Sequence, residues 1–103
     1  MKTIELKNLL EDNNYPDAGS VLFYIIKNAI GNSEKIIIDM KDVISIPTMF
    51  MNTSFGSILD EFSMEDLKGT ISFKNISKSQ IERIQKYLSD YNQLKQQANI
   101  MYT

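Results

Sequence analysis

The 103 residues read as one small α/β domain, a mixed or parallel sheet of about four strands packed with three helices. Three observations predict this class. Apolar residues switch repeatedly between a period of two and a period near 3.6, in the order strand, helix, strand, helix, strand, helix. The run Ile36-Ile37-Ile38 is β-branched and uninterrupted, the pattern of a strand buried on both faces in the middle of a sheet. Turn residues separate the segments at short intervals, and no repeat, low-complexity linker or domain boundary interrupts residues 1–103. A chain of this length buries roughly 60–68% of its unfolded surface, enough for one core without metal or crosslinks.

Lys2 to Lys7 alternates, with Ile4 and Leu6 on one side, and reads as a half-buried first strand. Glu11 to Asn14 is a polar loop. Pro16 and Asp17 mark a helix entrance, because proline is tolerated in a first helical turn. Ala18, Val21, Leu22, Ile25, Ala29 and Ile30 then recur at helical spacing, so a helix spans about Asp17 to Ile30 and stops at Gly31-Asn32. Lys35 to Met40 is the second strand and Asp42 to Ile46 a loop. A second helix runs from Pro47 to about Phe62, its core stripe passing through Thr48, Met51, Phe55, Ile58, Leu59 and Phe62. Ser63 caps a short extra turn through Asp66, and Gly69 ends the region. Thr70 to Asn75 alternates, with Ile71 and Phe73 together, and is a further strand. Ser77 and Gln80 have capping-box spacing. The last helix follows from Lys78 to about Gln96, with Ile81, Ile84, Leu88, Tyr91 and Leu94 as its stripe.

Composition excludes several chemistries. Hydrophobic residues make up 43% and charged residues 23%, so disorder is not expected. There is no cysteine, hence no disulfide framework, thiol nucleophile or cysteine-based zinc site. There is no histidine either, which removes Ser-His and Cys-His nucleophile systems and histidine-based metallohydrolases. The expectation is a non-enzyme without metal or cofactor. A net charge of -2 and a single arginine, Arg83, argue against a nucleic-acid partner. Met1 to Asn8 lacks the pattern of a secretory signal, and no apolar run approaches the roughly 20 residues of a membrane span. A cytoplasmic location without membrane contact is expected.

The stretch Ile36 to Phe50 carries most of the functional information. It is a buried strand, an acidic residue, a loop with hydroxyls, and a helix start, where unpaired N–H groups carry partial positive charge. Thr48 and Ser45 are therefore candidate phosphoacceptors; equally, either satisfies a helix-end donor. Met49 lies on the polar line of Asn52, Thr53, Gly56 and Asp60, and Phe50 on that of Ser54, Ser57 and Glu61. Large apolar side chains opening polar faces form a contact surface, or are folded over by the loop or first strand.

Three other groupings carry less. Asp39 and Asp42, with Lys74 and Glu5, admit a magnesium-dependent phosphate receiver in which Asp39 accepts the phosphoryl group, although such domains need more strands. Glu61, Glu65 and Asp66 read as a solvated helix end. Tyr87, Tyr91 and Tyr102 read as packing and amphipathic surface rather than a base-stacking platform.

From Ile38-Asp39 to Phe55-Gly56 the chain resembles the STAS-like domains, relatives of the anti-sigma-factor antagonists. The residues that carry this are Asp39, Val43, Ser45-Ile46-Pro47-Thr48, Phe50 and Phe55-Gly56. Leu67-Lys68-Gly69 and Ile71-Ser72-Phe73-Lys74-Asn75 extend it downstream, and Gly19 within Ala18-Gly19-Ser20 extends it upstream. The resemblance implies helices packed on a mixed sheet. It also implies docking on a protein partner, in classical members a kinase-type anti-sigma factor with a histidine-kinase-like ATP-binding fold. Classical members switch that docking off by phosphorylating a hydroxyl at the start of the helix corresponding to Pro47 onward. Here Thr48 aligns with the first hydroxyl of that motif, Met49 takes the place of the usual phosphoacceptor and Phe50 that of a glycine. The STAS-like branch often carries phenylalanine there, so the resemblance is to that branch.

The expected function is thus a regulatory interaction module that docks through Ser45, Ile46, Thr48, Met49, Phe50 and Thr53. The alternatives are a homo-oligomeric assembly subunit, in which the same apolar residues make a homodimer with the first strand as a candidate sheet edge, and the phosphate receiver.

Overall fold

The computed structural model describes residues 2–101. It contains three strands rather than about four, and five helices rather than three. They are β1 (Lys2–Glu5), α1 (Leu6–Leu10), α2 (Tyr15–Gly31), β2 (Ile36–Asp39), α3 (48–61), α4 (Met64–Thr70), β3 (Ile71–Lys74) and α5 (Lys78–Met101). The sheet order is β1-β2-β3 and both pairings are parallel. One register row joins Ile4, Ile38 and Phe73; the next joins Glu5, Asp39 and Lys74.

That register sets the layers. Ile4, Ile36 and Ile38 are buried, with Ile71 and Phe73 half-buried beside them, under the helices. On the other face Thr3, Glu5, Ser72 and Lys74 are exposed, and Ile37 is only half-buried, outside the core. β2 is therefore central, as its composition requires, but covered on one face only. The two-sided burial expected from three consecutive isoleucines does not occur, because the outer edges of the row beside Ile37 are polar and offer a second helical layer nothing to bury.

The additional helices have local causes. Leu6, Leu9 and Leu10 have helical spacing, which overrides the two-residue alternation that suggested a longer first strand. Ser63 and Asp66 form the expected capping box, and the helix it opens continues through Gly69 to Thr70. In α2 the Asn14 side chain caps the Asp17 N–H, with Pro16 in the first turn. The buried stripe of α2 is Ala18, Leu22, Ile26 and Ala29; Val21, one position to the side, points to solvent instead.

α3 is not a plain α-helix. Thr48–Met51 and Ser57–Glu61 are α-helical, and Asn52–Gly56 between them is a π turn. Buried residues recur every four positions, at Phe50, Ser54 and Ile58 and at Met51, Phe55 and Leu59. An ordinary helix advances 100° per residue, so such a repeat drifts by roughly 40° each time. The wider π turn absorbs the drift and holds both rows against the core. α2 packs closely on this segment. A Cβ at Gly19 would run into Thr53 Oγ1 and lie 2.6 Å from the Phe50 carbonyl oxygen.

Candidate functional site

The loop between β2 and α3 leaves the carboxyl end of the central strand, where open α/β sheets place their sites. It turns at once: the Val43 N–H donates to the Met40 carbonyl at 3.1 Å, with Asp42 in the left-handed region at φ 63°. Aspartate tolerates that conformation better than most residues. Two side chains of α5 then fix the loop. Gln80 Oε1 accepts from the Ser77 N–H at 3.0 Å and closes the capping box, while its Nε2 donates to the Val43 carbonyl at 2.6 Å. Arg83 donates through Nε and Nη2 to the Ile46 carbonyl, at 3.2 and 2.7 Å, and through Nη2 to Thr48 Oγ1 at 3.2 Å.

The segment held this way alternates in its exposure. Ile44 is 95% exposed and Met49 58% exposed, whereas Ile46 between them is buried at 2%. Ser45 and Thr48 are exposed. The predicted contact surface is corrected at three positions. Phe50 is fully buried and heads a buried row with Ser54 and Ile58, which the π turn keeps in line behind it. Ile46 is the plug that anchors the loop, so it too is unavailable to a partner. Thr53 turns inward, its hydroxyl donating to the Met49 and Phe50 carbonyls at 3.2 and 3.4 Å, where it meets Gly19 of α2. Thr48, assigned to the core stripe from its spacing, faces solvent. Ile44, Gln80 and Arg83 were not predicted for the site. Ile44 could have been noticed as an isoleucine in a loop; local spacing marks Gln80 only as a cap, and nothing local ties Gln80 or Arg83 to the loop, whose Val43 and Ile46 carbonyls lie 37 residues away.

The acidic group considered for phosphate chemistry sits on the bare sheet face. Asp39 Oδ1 accepts from the Asn75 amide at 2.8 Å and the Lys41 N–H at 3.0 Å, with Lys74 Nζ 3.9 Å from Oδ2. The Asn75 hydrogen bond first, and the Lys41 N–H second, hold its carboxyl below the usual aspartate value. Glu5 is its neighbour in register. Asp42 instead pairs with Lys7 at 3.9 Å. Among the described residues no three acidic side chains are grouped to hold a metal ion. Of the remaining acidic residues, Glu61 pairs with Lys27 at 3.2 Å and Asp66 serves its cap.

Two of the tyrosines do pack, against the π turn. Tyr87 donates to Asn52 Oδ1 at 2.6 Å and Tyr91 to Asp60 Oδ1 at 2.7 Å, the rings stacked 5.9 Å apart over Gly56. Burial, and then the Asp60 hydrogen bond, push the Tyr91 phenol up to about 12. Tyr102 lies outside the described residues. No helix among those residues is long and apolar enough to cross a membrane.

Compared with known proteins, residues 18–80 match a family model described as a STAS-like domain of unknown function (DUF4325). The match takes in Gly19, Asp39, the whole β2–α3 loop, the π turn and Gln80. No curated protein and no solved structure matches the chain.

Proposed function

The chain belongs to the STAS-like family of domains, and from that premise we propose that it is a non-enzymatic regulatory module that docks on a protein partner through the β2–α3 loop. The docking residues are Ile44, Ser45, Thr48 and Met49. One observation carries the reading: two large apolar side chains, Ile44 and Met49, stand in solvent on either side of the buried Ile46, on a loop whose carbonyls Gln80 and Arg83 hold in place. Apolar side chains exposed on a braced segment favour binding, because little conformational freedom remains to be lost on contact. The partner we favour, by the family resemblance, has a histidine-kinase-like ATP-binding fold.

Ser45 and Thr48 are the residues at which modification would control this docking. A phosphoryl group on Thr48 would meet Arg83 and the amino end of α3, and would draw the guanidinium away from the Ile46 carbonyl.

The test is capture from native lysate by wild type and by an Ile44→Asp/Met49→Asp variant. Wild type should retain one ATP-binding regulator, which the variant loses while keeping its circular dichroism and Tm. Retention by both forms, or no specific partner for either, would overturn the loop as the docking surface. A homodimeric assembly subunit is the second reading, favoured by β1 and β3 both lying at sheet edges. Sedimentation distinguishes it as a concentration-dependent dimer.

A further inference from the structure

The edge of β3 differs from that of β1 in what lies beside it. Between β3, α4 and α5 runs a groove lined by Leu67, Phe73, Ile76, Ile81 and Leu88. Its volume is about 180 Å³. Small-molecule sites typically measure about 300–1,000 Å³, so the groove suits one or two side chains rather than a cofactor. Ile81 on its rim is 38% exposed.

The strand alongside has backbone groups to offer. The Lys74 carbonyl accepts from the Met40 N–H at 2.9 Å, which turns Lys74 toward β2. In a parallel ladder successive residues face opposite neighbours, so Ser72 also faces β2, while Ile71 and Phe73 face the open edge. The Ile71 N–H is taken by the Leu67 carbonyl at the end of α4. The Ile71 carbonyl and both backbone groups of Phe73 remain for an added strand. Such a strand would direct alternate side chains into the apolar groove and the others onto the bare sheet face, beside Ser72 and Lys74.

Charge selects the occupant. Lys68 lines the groove and Lys74 closes the edge, with Lys78 opening α5 nearby; Lys68 and Lys78 have no ion-pair partner among the described residues. No acidic residue lines the groove. Pairing with β3 of a second copy would set these lysines against their own kind. Pairing with β1 of a second copy would bring Lys2 as well as Glu5, and Ile4, already buried in its own core, could not fill the groove. We propose that the β3 edge is a second docking surface, which takes an extended strand of a partner protein with apolar and acidic side chains in alternation. This mode adds main-chain affinity from the ladder and specificity from the groove. It is independent of the β2–α3 loop, and neither reading falls with the other.

The probe is an acetylated and amidated hexapeptide alternating glutamate and valine, with the lysine–valine peptide as control. Hydrogen exchange and amide shifts are read by NMR on the full chain. The acidic peptide should slow exchange at the Phe73 N–H by about tenfold or more while leaving Ile44 to Met49 unmoved. Ile81→Asp should keep the fold and lose the response. A Lys68→Glu/Lys74→Glu variant should reverse the preference between the peptides. No protection of Phe73 at millimolar peptide, equal response to both peptides, or a response confined to the loop would each overturn the proposal. Protection that rises with protein concentration alone would assign the edge to a second copy instead.

Discussion

Replacing Gly19 by alanine tests the closest contact in the core. The added methyl would meet Thr53 Oγ1, lie 2.6 Å from the Phe50 carbonyl oxygen and 3.0 Å from Thr53 Cβ. The hydroxyl can rotate away, but the carbonyl belongs to the main chain of α3, so the two helices must separate. Overpacking of this kind costs about 1–3 kcal/mol. The upper end applies here because part of the obstacle is backbone. Alanine regains about 1 kcal/mol over glycine inside a helix. The net loss is therefore about 2 kcal/mol, a fall in Tm of roughly 8–16 °C for a domain of this size. Thermal unfolding of Gly19→Ala, Thr53→Ala and the double variant forms a cycle. Removing the hydroxyl should return about 1 kcal/mol of the alanine penalty, leaving the carbonyl contact uncorrected. A Gly19→Ala protein as stable as wild type, or more stable by the helix-propensity increment alone, would refute the close approach of α2 and α3.

Two further perturbations address the loop and the bare face. Gln80→Ala removes one of the two capping-box bonds, the Ser77 N–H to Oε1, together with a tertiary bond, so it should destabilise by about 2 kcal/mol, against about 1 kcal/mol for Ser77→Ala, which removes only the other, the Oγ cap on the Gln80 N–H. Urea unfolding compares the two, and faster amide exchange across 41–47 should appear with Gln80→Ala alone; equal effects would show that the Val43 bond contributes nothing. Asn75→Ala should raise the Asp39 pKa toward its ordinary value by removing the main cause of the shift. Because the folded-state pKa is depressed, the associated stability is present above the unfolded value and lost as pH falls through the folded one. The stability gap between wild type and variant should thus narrow in acid below pH 3.8, leaving a pH-independent remainder from the left-handed backbone at residue 75, φ 56°. NMR titration of the Asp39 carboxyl reads the first effect directly, and an unchanged pKa would remove Asn75 as its cause.

Features whose cause lies within a few residues were legible in the sequence. The capping pairs Ser63–Asp66 and Ser77–Gln80, the entrance of α2 at Pro16 and the central strand through Ile36 and Ile38 all stand where local chemistry put them. The family was legible too, from residues such as Gly19 and Phe55-Gly56 that the fold uses in close contacts. What escaped depended on distant partners or a change of period. Val21 and Ile26 exchange roles because a stripe drawn from apolar spacing does not say which side meets the sheet. Leu94 satisfies the α5 stripe yet stands largely in solvent, and Ile81 is only part-covered at 38% exposed, because the stripe is fully buried only in its middle, at Ile84 and Leu88. Phe50 shares a buried row with Ser54 and Ile58 that is held in line by a wider turn that composition does not announce, and Arg83 reached the site through the fold alone.

The π turn has a consequence for how this chain is compared with its relatives. A wide turn inside a helix is equivalent to a single inserted residue. Thr48 to Phe50 lie before that insertion, and Phe55-Gly56 lie within its far end. A relative with an uninterrupted helix here would align without a gap on one side or the other, but not on both. The position opposite Met49 should therefore be fixed from β2 forward, and the positions opposite Ile58 and Leu59 from α4 backward, with the gap placed inside Asn52–Gly56.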